Sequence, residues 1–178
     1  MKKAKAFKFI VSIFITLNLS GLYGQSSLKT IKFMNCEWGI SPEEAIAALQ
    51  QESVDINIKE NINLKYEDKA IGMREFVTHD FLFAGHKWRL KLIFLDNKLA
   101  NVLLSSSNAD KLKTIRELEA KFGEYKTDIT YSEIWEAKDG SQLSLRTPIN
   151  KIIISYYAPG FWEEYQKRKN EASGSQIP

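Results

Sequence analysis

Cysteine occurs once in the 178 residues, at Cys36, and histidine only twice, at His79 and His86. A single thiol excludes an intramolecular disulfide framework and any zinc site built from cysteines alone. The four prolines and nine glycines are scattered, so no low-complexity linker interrupts residues 28–160. Glycine-rich phosphate loops, dinucleotide fingerprints and the G-x-S-x-G nucleophile elbow are all missing. Apolar and aromatic residues are not scarce. At 44 % and 12 % of the chain they exclude a disordered polymer and provide for a core.

Charge is nearly balanced, with 25 Lys+Arg against 22 Asp+Glu, and the small excess has a local origin. Residues 1–24 carry Lys2, Lys3, Lys5 and Lys8, then an apolar run from Phe9 to Leu19 broken only by Ser12, Thr16 and Asn18. A small-residue stretch ending at Gly24 follows, which completes the layout of a secretory signal peptide. The run is too short to span a bilayer, so no stable membrane anchor is expected after cleavage. Phe33, Met34 and Asn35 ahead of Cys36 do not form the small, aliphatic context of a lipoprotein signal. Removing residues 1–24 takes away four lysines and no acid, leaving 21 Lys+Arg against 22 Asp+Glu. The expectation is an exported protein, periplasmic or secreted, with no net charge to draw it to nucleic acid or an anionic membrane.

The exported part, residues 25–172, reads as one α+β domain followed by a flexible tail, 173–178. Ser41-Pro42-Glu43-Glu44 forms a capping box with proline at the first helical position, and Ala45, Ile46, Ala48 and Leu49 supply an apolar face to Gln51 or Glu52. Leu112, Ile115, Leu118 and Phe122 recur at helical steps behind a Ser107/Asp110 capping pair, with Gly123 at the C-terminal cap. Elsewhere the period is two. It is seen in Ile62, Leu64 and Tyr66, in Met73 to Ser106 broken at Ala84-Gly85 and Asp96-Asn97, and in Ile129 to Ala137. Beyond Asp139-Gly140 it continues through Leu143 and Leu145, and Ile152-Ile153-Ile154 reads as a strand covered on both sides. The order predicts antiparallel strands with helices on one face. It also suggests a weak duplication into half-repeats 33–106 and 107–158.

One hairpin can be set in register. A two-residue turn at Ala84-Gly85 places Phe83 opposite His86, Phe81 opposite Trp88 and Asp80 opposite Arg89, giving an aromatic pair and an ion pair. His79 and His86 then stand over about 10 Å apart, too far to share a metal ion. No other metal, cofactor or catalytic set emerges. Cys36 reads as a packed apolar side chain, Glu43-Glu44 as a helix N-terminus, and Glu163-Glu164 as i,i+4 partners of Lys167-Arg168. Lys87, Arg89 and Lys91 share a face with Ile93 and Leu95, which reads as a solvated edge. Trp38-Gly39 reads as core packing at the helix entry. Trp135, on a face with Tyr131, Glu133 and Ala137, reads as partly covered. Phe161, Trp162 and Tyr165 cluster on the terminal segment. Trp135, Phe161, Trp162 and Tyr165 are therefore the candidate contacts for a protein partner. The alternative is a small apolar ligand or lipid carried on a sheet face.

The segment Phe33–Trp38-Gly39-Ile40-Ser41-Pro42-Glu43-Glu44, with Leu118–Phe122-Gly123 and Trp135, resembles small exported bacterial proteins of uncharacterised function that share a W-G-x-S-x-E-E helix start. More distantly, the element order over most of residues 33–157 is similar to the β-lactamase-inhibitor-protein-like and SmpA-like envelope modules. The second half departs from the pattern, with Ser106-Ser107-Asn108-Ala109-Asp110 in place of the Gly-x-Ser lead-in. The resemblance implies a non-enzymatic binding or assembly role and transfers no catalytic residue.

Overall fold

The computed structural model describes residues 28–52 and 56–174. The segment read as an export signal, and residues 175–178 of the expected tail, lie outside the described residues. Helix α1 (Pro42–Glu52) starts where the capping box predicts. The Ser41 amide donates to Glu44 Oε2 at 2.8 Å and the Glu44 amide to Ser41 Oγ at 3.2 Å. These bonds favour the ionised Glu44 carboxyl and hold its pKa below the ordinary value. Helix α3 (Lys111–Phe122) is capped by Asp110 alone, whose side chain accepts from the Lys113 amide at 3.1 Å, and ends at Gly123 with φ +80°. Its buried side is Thr114, Ile115, Leu118 and Phe122, whereas Leu112 in the first turn is 66 % exposed.

Eight antiparallel strands form one sheet: β1 (Lys59–Glu60), β2 (Met73–Phe83), β3 (His86–Leu95), β4 (Lys98–Ser106), β5 (Lys126–Thr127), β6 (Glu133–Glu136), β7 (Gln142–Arg146) and β8 (Ile152–Tyr157). Their order, β1-β2-β3-β4-β8-β7-β6-β5, is mirrored about the central β4–β8 pair. On each side of that pair a helix leads into a four-strand meander, with the short helix α2 (Tyr66–Ala70) inserted only in the first. The segment expected as a strand at 62–67 is instead a turn leading into α2. The Asn61 side chain accepts from the Asn63 amide and ends the β1 pairing, leaving Ile62 and Tyr66 about three-quarters exposed at 75 % and 74 %.

The turns at Ala84-Gly85 (φ +50° and +77°) and Asp96-Asn97 (φ +48° and +60°) have both central residues left-handed, which matches the right-handed twist of the flanking strands. The first gives the expected pairs Phe83/His86 and Phe81/Trp88. The expected Asp80–Arg89 ion pair does not form, because a bulge at His79-Asp80 sets Thr78 opposite Leu90. Asp80 binds Lys87 instead, at 3.0 Å. The cause is parity. Phe76 and Phe81 are both buried in the core, yet an odd separation puts them on opposite faces of a regular strand. One extra residue brings both inward. In β4 the same device at Ala100 lets Leu99 join Val102 and Leu104 in the core.

Helices α1 and α3 cover one sheet face. Ala45, Leu49, Ile115, Leu118 and Phe122 pack on Trp88, Leu90, Leu92, Val102, Leu104, Leu143, Leu145 and Ile154. Residues 28–40 tie the two halves along the lower edge. Ile31 donates its amide to Ser141 Oγ, and Gly39 donates to the Leu99 carbonyl in the β3–β4 hairpin. Trp38 packs against this core with Nε1 on the Ile31 carbonyl at 2.7 Å. Helix α4 (Phe161–Gly174) lies on the opposite face at the lower edge, over Ile71, Leu95, Ala100 and Tyr157. It is held by Arg168 on Asp96 and Lys169 on Asp68. Ser173 and Gly174, expected in the tail, are its last residues, and Ser173 Oγ donates to the Lys169 carbonyl.

Cys36 and Tyr156 are sealed in the main core. Burial, with a smaller contribution from the Glu37 carboxylate, pushes the Cys36 thiol up to about 11, and burial raises the Tyr156 phenol. Both groups ionise more readily in the unfolded chain, so above about pH 9 the unfolded state binds fewer protons than the native one. Stability is therefore expected to hold below about pH 9 and to fall as pH rises from there towards 11. Urea unfolding midpoints at pH 8 and pH 10.5 check this, and Tyr156→Phe should show the smaller drop.

Candidate functional site

The candidate aromatics are divided by the fold. Trp135 is 2 % exposed, and its Nε1 donates to the Gly123 carbonyl at 2.8 Å while its ring packs 5.3 Å from that of Tyr125. It is core and not a contact surface. The expected partial cover rested on carrying the strand period back through Tyr131. Asp128 breaks that period, because its carboxylate accepts from the Thr130 and Ser132 amides and leaves Tyr131 at φ +58° in a loop. Strand β6 therefore begins only at Glu133. Phe161, at 8 % exposed, is also withdrawn. It stacks between Tyr157 and Tyr165 and docks α4 on the sheet. Tyr165 is half-buried in that docking cluster. Trp162 is the one candidate left largely open, at 47 % exposed, with its ring 5.2 Å from that of Tyr157.

Tyr157 links Trp162 to a feature that alternation hides in any one strand. Above α4, no described helix crosses the sheet face opposite α1 and α3. Register places Val77, Lys91, Leu103, Ser155, Ser144 and Ile134 in one row across six strands. The row below it runs Glu75, Ile93, Asn101, Tyr157, Gln142 and Glu136. Above lie Arg89, Ser105, Ile153 and Arg146. Val77, Ile93, Leu103, Ile134 and Ile153 are half-buried, so the face is neither a closed core nor a polar surface. Ser105 and Ser155 are short side chains buried between longer neighbours, which makes a shallow line across the centre. Ile153, expected to be covered on both sides of its strand, belongs to this face. β8 is central by hydrogen bonding, and on this face Ser155 and Tyr157 are buried while Ile153 stays half-buried.

Charge on this face is organised. Glu75 is 4 % exposed, binds Lys91 Nζ at 2.8 Å and accepts from Asn61 Nδ2 at 2.8 Å, so its buried carboxylate is fully engaged. Asn101 donates from Nδ2 to the Tyr156 carbonyl. Lys87, Arg89 and Lys91, expected as a solvated edge, flank this face on β3. At its β1 edge a shallow cleft is lined by Lys59, Val77, His79, Asp80 and Arg89, and a second opens between α2 and α4 beside Gly72, Asp96 and Arg168. Among the described residues, no three His, Cys, Asp or Glu side chains come together as metal ligands would. None of the described helices is long and apolar enough to cross a membrane.

No protein-family model matches the chain, and no curated protein matches it.

Proposed function

We propose that the chain is an exported, non-enzymatic α+β binding module that contacts a protein partner in the cell envelope or outside the cell. The observation that carries this reading is the uncovered sheet face, with half-buried aliphatic side chains spread over five strands and Trp162 at its lower border. A sheet that leaves such a face bare has not buried all the apolar surface its pattern offers, and a partner surface completes it. The signal-like layout of residues 1–24 and the likeness in element order to envelope-binding modules point the same way. The mirrored strand order supports reading residues 33–106 and 107–158 as duplicated halves. The carrier alternative has less support, because α1 and α3 fill the apolar face and the two clefts are lined mainly by polar and charged groups.

Photo-cross-linking in the producing cell tests the proposal. A photoreactive residue at Ser144 or Leu103 should give a discrete adduct with one protein, whereas the same probe at exposed Ala47 on α1 should give none. Ser144→Trp, which raises the middle of the face, should reduce the adduct at position 103 about tenfold while leaving the melting temperature within a few degrees. Equal adducts at positions 144 and 47, or no adduct on the face, would sink the reading. An apolar molecule co-purifying in native mass spectrometry would favour the carrier instead.

A further inference from the structure

Antiparallel register brings several connections to the upper end of the sheet, opposite α4. Glu133 pairs with Leu145 and Arg146 with Ile153, so the β5–β6 loop (128–132) and the β7–β8 loop (147–151) leave the sheet side by side. With neighbouring strands about 4.8 Å apart, the two loops are separated by about 10 Å. At their tips stand the most exposed large apolar side chains among the described residues, Ile129 at 98 %, Ile149 at 93 % and Tyr131 at 84 %. Leu112, 66 % exposed, joins this end, because the Lys111–Glu133 ion pair at 2.8 Å holds the first turn of α3 against β6.

These side chains are not on slack loops. The Asp128 carboxylate accepts from the amides of Thr130 and Ser132 and from Thr130 Oγ1, and the Asp128 amide donates back to the Ser132 carbonyl. In the second loop the Lys151 amide donates to the Pro148 carbonyl, with Asn150 at φ +56°. Both loops therefore present their apolar tips already ordered, which lowers the entropy lost on docking.

Exposed basic side chains flank them. Arg146 and Lys151 bracket the Ile149 loop and Lys126 precedes the Ile129 loop, all exposed and without an ion pair among the described residues. The acids at this end are turned to internal tasks. Asp110 caps α3, Glu133 is buried against Lys111, and Asp128 holds its own loop with Arg146 close enough to favour its ionised form. A near-neutral total conceals this, because a sum over the chain is blind to placement.

We propose that this end of the sheet is a peripheral docking site for an anionic lipid surface. Ile129, Tyr131 and Ile149 would enter the headgroup region while Arg146, Lys151 and Lys126 face the lipid phosphates. Single apolar side chains raised on separate turns suit shallow insertion into a fluid interface. A protein interface of the usual kind gathers its anchors into a packed patch. The site is separate from the uncovered sheet face and does not depend on it.

Vesicle sedimentation of the chain as isolated from its producing cells tests the site. The wild type should sediment with vesicles of phosphatidylglycerol and phosphatidylethanolamine, less with phosphatidylcholine alone, and should be released as salt is raised. I129S/Y131S/I149S should lower the partition coefficient about tenfold or more, and R146Q/K151Q should weaken binding and flatten its salt dependence. Trp162→Ser, at the opposite end, should bind as the wild type does. Melting temperatures of each variant separate lost binding from lost folding. The proposal is overturned if the wild type does not sediment, if neutral and anionic vesicles bind alike, or if both loop variants bind as the wild type. It is also overturned if the apolar triple variant keeps its lipid binding and loses a protein adduct instead.

Discussion

Trp135→Ala is expected to destabilise the protein by about 3–5 kcal/mol, the range for removing a fully buried large aromatic. The indole fills the space between β6 and the end of α3. Its Nε1 also satisfies the Gly123 carbonyl, which the alanine variant leaves without that donor. For a domain of this size the melting temperature should fall by roughly 10 °C or more. Thermal unfolding followed by circular dichroism measures it. A surface contact residue would move the midpoint by less than about 2 °C, so the two readings of this tryptophan separate cleanly. Trp135→Phe, which keeps a ring but loses the donor, should fall between them.

Phe81→Ala is expected to have the second large effect, and to exceed by far the deletion of His79 in the bulge beside it. Phe81 is 2 % exposed and packs on Phe33 at 5.6 Å, so the alanine variant should lose about 3–5 kcal/mol. The His79 side chain is exposed and makes no contact that the core needs, so His79→Ala should change stability by less than about 0.5 kcal/mol. Removing His79 altogether removes the bulge and leaves Phe76 and Phe81 four residues apart, an even step that keeps both on the core face of a regular strand and lets Asp80 pair with Arg89. The deletion is therefore expected to be tolerated. Comparing denaturation midpoints of the three variants checks it, and a deletion as damaging as Phe81→Ala would refute the parity argument.

These two results bear on what was legible in advance. Helix starts and tight turns were, because their chemistry lies within four residues. Ser41 and Glu44 close their box, Gly123 ends α3, and Ala84-Gly85 and Asp96-Asn97 turn where expected. The Glu164–Arg168 pair likewise forms within one helical turn, at 2.6 Å. The errors fell where a period was extended across a local break. Ile62, Leu64 and Tyr66 alternate like a strand, yet the Asn61 side chain turns the chain before they can pair. Alternation over Ile129 to Ala137 puts Tyr131 on the face of Trp135, yet the Asp128 carboxylate turns the chain at Thr130 and Ser132, and that loop displays Ile129 and Tyr131 at the sheet end. An Asp-Ile-Thr-Tyr-Ser stretch carries the needed signal, an Asx turn with hydroxyls two and four residues on.

The sequence by itself determined an α+β chain of antiparallel strands, the positions of its main helices, and a core built from the aliphatic and aromatic residues of those elements. It also determined that no familiar catalytic motif is present. Tertiary structure decided the rest: the mirrored strand order, the two bulges, the burial of Trp135 and Phe161, and the sheet face that no described helix crosses above α4. The physical reason is range. A cap or a turn is set by hydrogen bonds between near neighbours in the chain. Which face of a strand is covered depends on elements up to a hundred residues away, as Lys169 on Asp68 shows for α4.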